Sequence, residues 1–169
     1  MTLASIPDYF RGSGKTMQTY AATVLWKRRP GEVFIDNRYS RGHRWTFDCG
    51  VDVPASASPH VVPLPLSVEA AVDPEEAFVA SIASCHMLWF LSIAAGRRLT
   101  VESYTDNAEG VLARNAEGLL AMTDVLLRPV VTFSGDSIPS QELIDDIHHL
   151  AHEQCFIAAS VKTRIRIGR

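Results

Sequence analysis

Two cysteines seventy positions apart are the residues of this chain best suited to chemistry. Cys85 lies inside an almost wholly apolar run, AFVASIASCHMLWFLSIAAG. Cys155 closes a polar one, QELIDDIHHLAHEQCF, just ahead of the strand-like SVKTRIRI. The thiolate is the nucleophile in sulfur chemistry, and a second thiol can condense with its oxidised form. A thiol on a buried helix, with another elsewhere to meet, therefore points to peroxide or disulfide chemistry rather than to a structural bridge. The alternative for both residues is plain packing, since free cysteine is among the most buried residue types. Cys49, in a Cys-Gly turn after a strand, is read as incidental.

A second constellation competes. His148, His152 and Cys155 fall at i, i+4 and i+7 on one helix face, and with Cys85 or His86 they could hold zinc. Helical His-x-x-x-His is common on solvated faces, so no metal is expected; His149 reads as a surface residue. His86 could alter the ionisation of Cys85, but the simpler reading is a satisfied core histidine. The GSGKT at 12–16 suggests a phosphate loop, but the glycine required five residues before Gly14 is Tyr9, and no strand precedes it.

The whole chain bounds these options. At 169 residues one domain is expected, with residues 1–16 as a flexible extension and 17–169 as the domain. The net charge of −3 gives no reason to expect nucleic acid or an anionic membrane as partner. Three cysteines fit no secreted disulfide framework, and no signal segment is visible, so a reducing cytoplasm is expected. Residues 77–96 are apolar enough to raise a membrane span. They also carry Ser81, Ser84, His86 and Ser92, and a helix apolar all round can be the central helix of a core. One monomer of this size would struggle to cover such a helix, which makes a homodimer the natural solution.

The elements that must position the thiols follow in order. Residues 17–27, 32–36 and 43–48 read as strands of a β-meander, with Pro30-Gly31 in a turn. A long proline-rich connection follows, with Pro54, Pro59, Pro63 and Pro65 ahead of Pro74. Asp73-Pro74-Glu75-Glu76 opens a helix with an N-cap, a first-turn proline and a capping-box spacing. Gly96 is read as its stop, with Arg97 and Arg98 near the negative dipole end. Residues 99–114 and 118–133 read as a long hairpin turning at 114–118. Ser137 or Ser140 starts an amphipathic helix with Leu143, Ile147 and Leu150 on one stripe, and 160–168 is a last strand. The order gives an α+β fold: β-meander, buried central helix, β-hairpin, amphipathic helix, β-strand.

DPEEAFVASIASC, the later AHEQCFIAASVKTRIRI and this element order resemble the OsmC/Ohr family of hydroperoxide reductases, over roughly residues 17–169. The resemblance implies an intertwined homodimer with each active site at the interface. It implies Cys85 as peroxidatic thiol, Cys155 as resolving thiol, Glu75 as the active-site glutamate, and an arginine from the N-terminal β region. Arg44 is the first choice for that arginine, with Arg41 and Arg38 behind it. It further implies an organic hydroperoxide as substrate, a lipoyl-type dithiol as reductant and no cofactor. An arginine would favour the thiolate and polarise the peroxide, and a glutamate would orient the arginine. Ten residues of helical rise put Glu75 roughly 15 Å from Cys85, so either the helix breaks or Glu75 serves the other subunit's thiol. An apolar pocket from Phe78, Met87, Leu88, Trp89 or Phe90 would favour alkyl chains, although such residues are more often core. The sequence departs from the family pattern at Phe156, where proline is usual, and at His86-Met87, where an aromatic is usual. The alternative is a non-enzymatic relative that binds a small hydrophobic ligand at the dimer interface.

Overall fold

The computed structural model describes residues 17–135 and 138–168. The 1–16 extension with its GSGKT, and Ser137, lie outside them. From Met17 onward the chain forms two compact units, Met17–Phe78 and Val79–Arg169, taken in turn here.

In the first unit β1 (Ala22–Leu25), β2 (His43–Phe47) and β3 (Asp52–Ala55) form an antiparallel meander in the order β1-β2-β3. The strand expected at 32–36 is instead a turn. The Asn37 N–H donates to the Phe34 carbonyl at 3.1 Å, and Asn37 takes φ 60°. Local bonds outweigh the β-propensity of Val33-Phe34-Ile35 here. The Glu32 carboxylate accepts the backbone N–H groups of Arg29 and Ser40, each at 3.0 Å. Phe34 stacks on Tyr39 with ring centroids 4.6 Å apart, and Trp26 packs against both. The proline-rich connection is tied back by buried Ser56, whose hydroxyl accepts the Val68 N–H at 2.9 Å.

α1 (Pro74–Gly96) opens with the expected box. Asp73 Oδ1 accepts the Glu76 N–H at 2.7 Å, and Glu76 Oε2 accepts the Asp73 N–H at 3.3 Å. Its end differs from expectation. Gly96 is still helical, and the left-handed residue is Arg98, at φ 60°. The Leu99 N–H reaches back to the Ala94 carbonyl at 3.0 Å and the Arg98 N–H to Ala95 at 2.9 Å, a Schellman closure. A side chain in this conformation is strained where glycine is not. Arg98→Gly is therefore expected to stabilise the fold by about 0.5–1 kcal/mol, read as a higher urea midpoint at unchanged m-value.

The hairpin is present but broken into two ladders. β4 (Thr100–Asp106) pairs with β7 (Pro129–Ser134), and β5 (Glu109–Arg114) pairs with β6 (Leu120–Leu127). The break is held by Asp106, whose carboxylate accepts the Arg128 N–H at 2.7 Å in place of a ladder bond. β8 (Arg164–Ile167) adds to β6 in parallel. α2 (Gln141–Gln154) begins at Ser140, whose hydroxyl accepts the Leu143 N–H, and α3 (Phe156–Ala159) follows at once.

α1 and α2 share the core. Phe90, Ala94, Ile147 and Ala151 are fully buried, with Trp89 and Cys155 nearly so. By length and composition α1 could also cross a membrane, and 33% of its most apolar window is buried within the chain. Of its buried residues, Ile82, His86, Trp89, Phe90 and Ala94 recur at three- to four-residue spacing along one covered face, with Ser92 to the side of it.

Candidate active site

The two helices bring Cys85 and Cys155 together. Cys85 is half-buried on α1 and packs against the core cluster that contains Cys155, and the two side chains share a hydrogen bond. Cys155 joins α2 to α3. It ends the first helix in extended geometry (φ −69°, ψ 110°), and its Sγ accepts the Ala158 N–H at 3.4 Å, capping the second. Phe156, at the position where the family pattern has proline, starts α3 and stands edge-on to Trp89 at 5.5 Å. Burial, and then the bond with Cys85, push the Cys155 thiol up to about 11. At neutral pH Cys155 is thus an un-ionised thiol that can donate its S–H to Cys85. Both cysteines are free thiols, as is exposed Cys49.

A second contact between the same helices was not anticipated. His86 Nε2 and His148 Nδ1 lie 3.0 Å apart with their rings stacked at 8°, and both residues are more than nine-tenths buried. Phe90 covers His148 at 4.3 Å. His86 Nδ1 is buried with no partner, so the expected satisfied core histidine is satisfied at one nitrogen only. Burial is the main cause that pulls both imidazoles down to about 4, with the neighbouring His148 adding to it at His86. Of the residues weighed for zinc, His148 turns to His86 and Cys155 to Cys85. Among the described residues no three histidine, cysteine or carboxylate side chains gather as metal ligands.

Of the residues proposed to line an apolar pocket, Trp89 and Phe90 fill the core, and Leu88 points outward at 54% exposure. α1 runs unbroken from Pro74 to Gly96, which removes one of the two ways Glu75 could serve a thiol. The Glu75 Oε2 atom is buried without a hydrogen-bond partner.

The three arginines differ in what already holds them. Arg44, on β2, gives its Nε–H to both oxygens of Asp52 on β3, at 2.7 and 2.8 Å. The Arg41 guanidinium lies 3.7 Å over the Tyr39 ring and, among the described residues, donates to neutral oxygens, the Tyr39 carbonyl and the Asn37 carbonyl and amide. Arg41, with Val24, Trp26, Phe34, Tyr39 and His43, lines an apolar cleft of about 460 Å³ in the first unit. Arg38 holds Asp36 through its backbone N–H, at 2.9 Å.

An α+β chain with a thiol pair between its two long helices is the class of protein these features define. The family model described as OsmC-like protein matches residues 67–168, and the chain belongs to that family. It is similar to an OsmC-like protein of unknown function from Vibrio cholerae, with 59% identity, TM-score 0.89, and coverage of 90% of this chain and 99% of that one. More distant structures share the fold. An organic hydroperoxide resistance protein from Elizabethkingia anophelis is 15% identical with TM-score 0.66, covering 92% of this chain and 99% of its own. One from Legionella pneumophila is 19% identical with TM-score 0.63, covering 92% and 100%. No curated protein matches the chain.

Proposed function

We propose that the protein is a thiol peroxidase for organic hydroperoxides, acting as a homodimer. The observation that carries this reading is the contact of two free thiols, Cys85 and Cys155, inside the core of an OsmC-family chain. The Cys85 thiolate attacks the distal peroxide oxygen. The O–O bond breaks, the sulfur takes the hydroxyl as sulfenic acid, and the alkoxide takes a proton from water to leave as alcohol. Cys155 then attacks the sulfenic sulfur, and its S–H proton leaves with the hydroxyl as water. A lipoyl-type dithiol reduces the resulting disulfide by exchange.

The dimer supplies what one chain does not. An unbroken α1 keeps Glu75 roughly 15 Å from its own Cys85, so in this reading the carboxylate serves the thiol of a second copy. Arg44 is neutralised by Asp52, whereas Arg41 meets neutral acceptors and borders an apolar cleft suited to an alkyl or aryl peroxide. Arg41 is therefore the arginine this geometry favours. The same cleft supports the second reading, a binder of small hydrophobic ligands without turnover.

The test is intact mass and peptide mapping after one equivalent of cumene hydroperoxide is added to reduced protein. Loss of two hydrogens with a Cys85–Cys155 cross-link is expected, and Cys85→Ser should abolish peroxide consumption. Unchanged thiols would overturn the peroxidase and put the ligand binder first.

A further inference from the structure

We infer that His86 and His148 are positioning residues for the Cys85–Cys155 couple: a histidine pair that holds the two thiol-bearing helices together while neutral and lets them part on taking up a proton. The inference rests on the thiol couple of the reading above. It does not depend on peroxide being the oxidant.

The geometry begins with placement. His86 follows Cys85 on α1, and His148 lies two turns before Cys155 on α2. The Nε2–Nδ1 bond is thus a clamp between the same two helices, beside the sulfurs. Its tautomers follow from what is unpartnered. Were His148 the donor, His86 Nδ1 would carry a buried N–H with no acceptor. The less costly arrangement has His86 donate from Nε2, leaving a bare lone pair at Nδ1. His148, accepting at Nδ1, must then carry its own proton at Nε2. That ring borders an open groove of about 610 Å³ between α2, β7 and the end of β8, lined also by Ile144, Asp145, Val131 and Ile167.

Protonation reverses the balance. One added proton places a charge on buried His86 and an N–H at its Nδ1 with no acceptor. A second would set two cations edge to edge across the 3.0 Å contact. Admitting water between the helices relieves both. The groups facing the pair do not cancel this. On α2, Asp145 favours a charged His148, while His152 disfavours a charged His86. From β4, the Tyr104 ring stands 6.4 Å from His148, its hydroxyl buried and unpartnered. Asp106 on the same strand is turned to the Arg128 N–H. On α1, Cys85 is the neighbouring titratable group, and it is turned to Cys155.

The test uses the full chain in a Cys49→Ser background, with diamide as a peroxide-independent oxidant that takes the two thiol hydrogens. The rate of Cys85–Cys155 cross-linking is followed from pH 7.5 to pH 4.5 in the parent and in His86→Gln/His148→Gln. Two glutamines can keep an amide–amide hydrogen bond between the helices but do not titrate. The thiols' own titration cancels in the ratio of the two rates. That ratio is expected to be flat at neutral pH and to fall progressively as pH drops towards 4.5. His148→Leu, which can neither accept nor titrate, should cross-link slowly at every pH. Parallel profiles for the parent and His86→Gln/His148→Gln would overturn the inference, even if His148→Leu proves too unstable to assay. A protein that ignores cumene hydroperoxide yet shows the diverging profiles would overturn the peroxidase and leave the histidine pair standing.

Discussion

Replacing Cys155 by alanine is expected to leave the first turnover with organic hydroperoxide intact and to stop the cycle there. Cys85 would consume one equivalent and remain as a sulfenic acid, visible as the added mass of one oxygen and trapped by a dimedone reagent. Further peroxide would carry it to the sulfinic acid, which dithiols do not reverse. Steady-state turnover with a dithiol should fall by about 10²-fold or more, because a partner thiol already in contact has a very high effective concentration. The geometry makes the expectation sharp. Cys155 is 1% exposed and hydrogen-bonded to Cys85, so no small thiol from solution can occupy its place without opening the core. Its high pKa does not impede the role, since its proton leaves with the sulfenic hydroxyl. Truncation to alanine removes one sulfur from the core, a loss small enough for a folded variant. Undiminished turnover in Cys155→Ala would show that the external dithiol attacks the sulfenic acid directly, and Cys155 would lose its part in the cycle.

The sequence makes this couple visible only as two thiols on two candidate helices. What is local is legible: the Asp73–Glu76 box, the Ser140 cap and the alternation that ends in Ile165 and Ile167. What depends on a residue in an unusual conformation is less so. Gly96 has the residue type of a helix stop, but it is the last helical residue, and the left-handed residue that closes the Schellman bonds is Arg98, two positions on. Val33, Phe34 and Ile35 have the composition of a strand, yet Glu32 takes up the Arg29 and Ser40 amides and closes a turn. The long strands of the hairpin break where one carboxylate, Asp106, outbids a ladder bond at Arg128. Pairings across long separations leave no local trace. His86 and His148 stand sixty-two positions apart. The helical spacing of His148, His152 and Cys155 marks a common face correctly, but it cannot say that the face is spent on His86 and Cys85 rather than on a metal. One hint was available: a histidine inside a wholly apolar helix and another on the apolar side of an amphipathic one are each costly to bury alone.

That cost yields a second large effect, on stability. His86 and His148 have an ordinary pKa of 6.5, and in the folded chain both are drawn down to about 4. Between those values the unfolded chain binds protons that the native state does not. Stability therefore falls as pH drops from about 6.5 towards 4, and the slope vanishes below that, where both states are protonated. At ~1.4 kcal/mol per unit, the His86 shift alone corresponds to a few kcal/mol, a sizeable part of the stability of a domain this size. His148 acts in the same direction, and mutual repulsion makes the second proton harder to add than the first. The window separates this effect from the carboxylates. Glu32, Glu109 and Asp124 are held below their ordinary values of 4.5, 4.5 and 3.8 by backbone N–H groups or arginine partners. They withdraw stability only as pH falls below those values. Asp106, raised by burial, acts in the opposite sense in both proteins alike. Urea denaturation at pH 7.0, 6.0 and 5.0 should therefore show a steadily falling midpoint in the parent protein, before those three carboxylates contribute. In His86→Gln/His148→Gln the same series should be nearly flat, whatever its absolute stability. Equal slopes in the two proteins would mean that the imidazoles reach water in the native state, and the buried pair would not be the fold's acid-sensitive point.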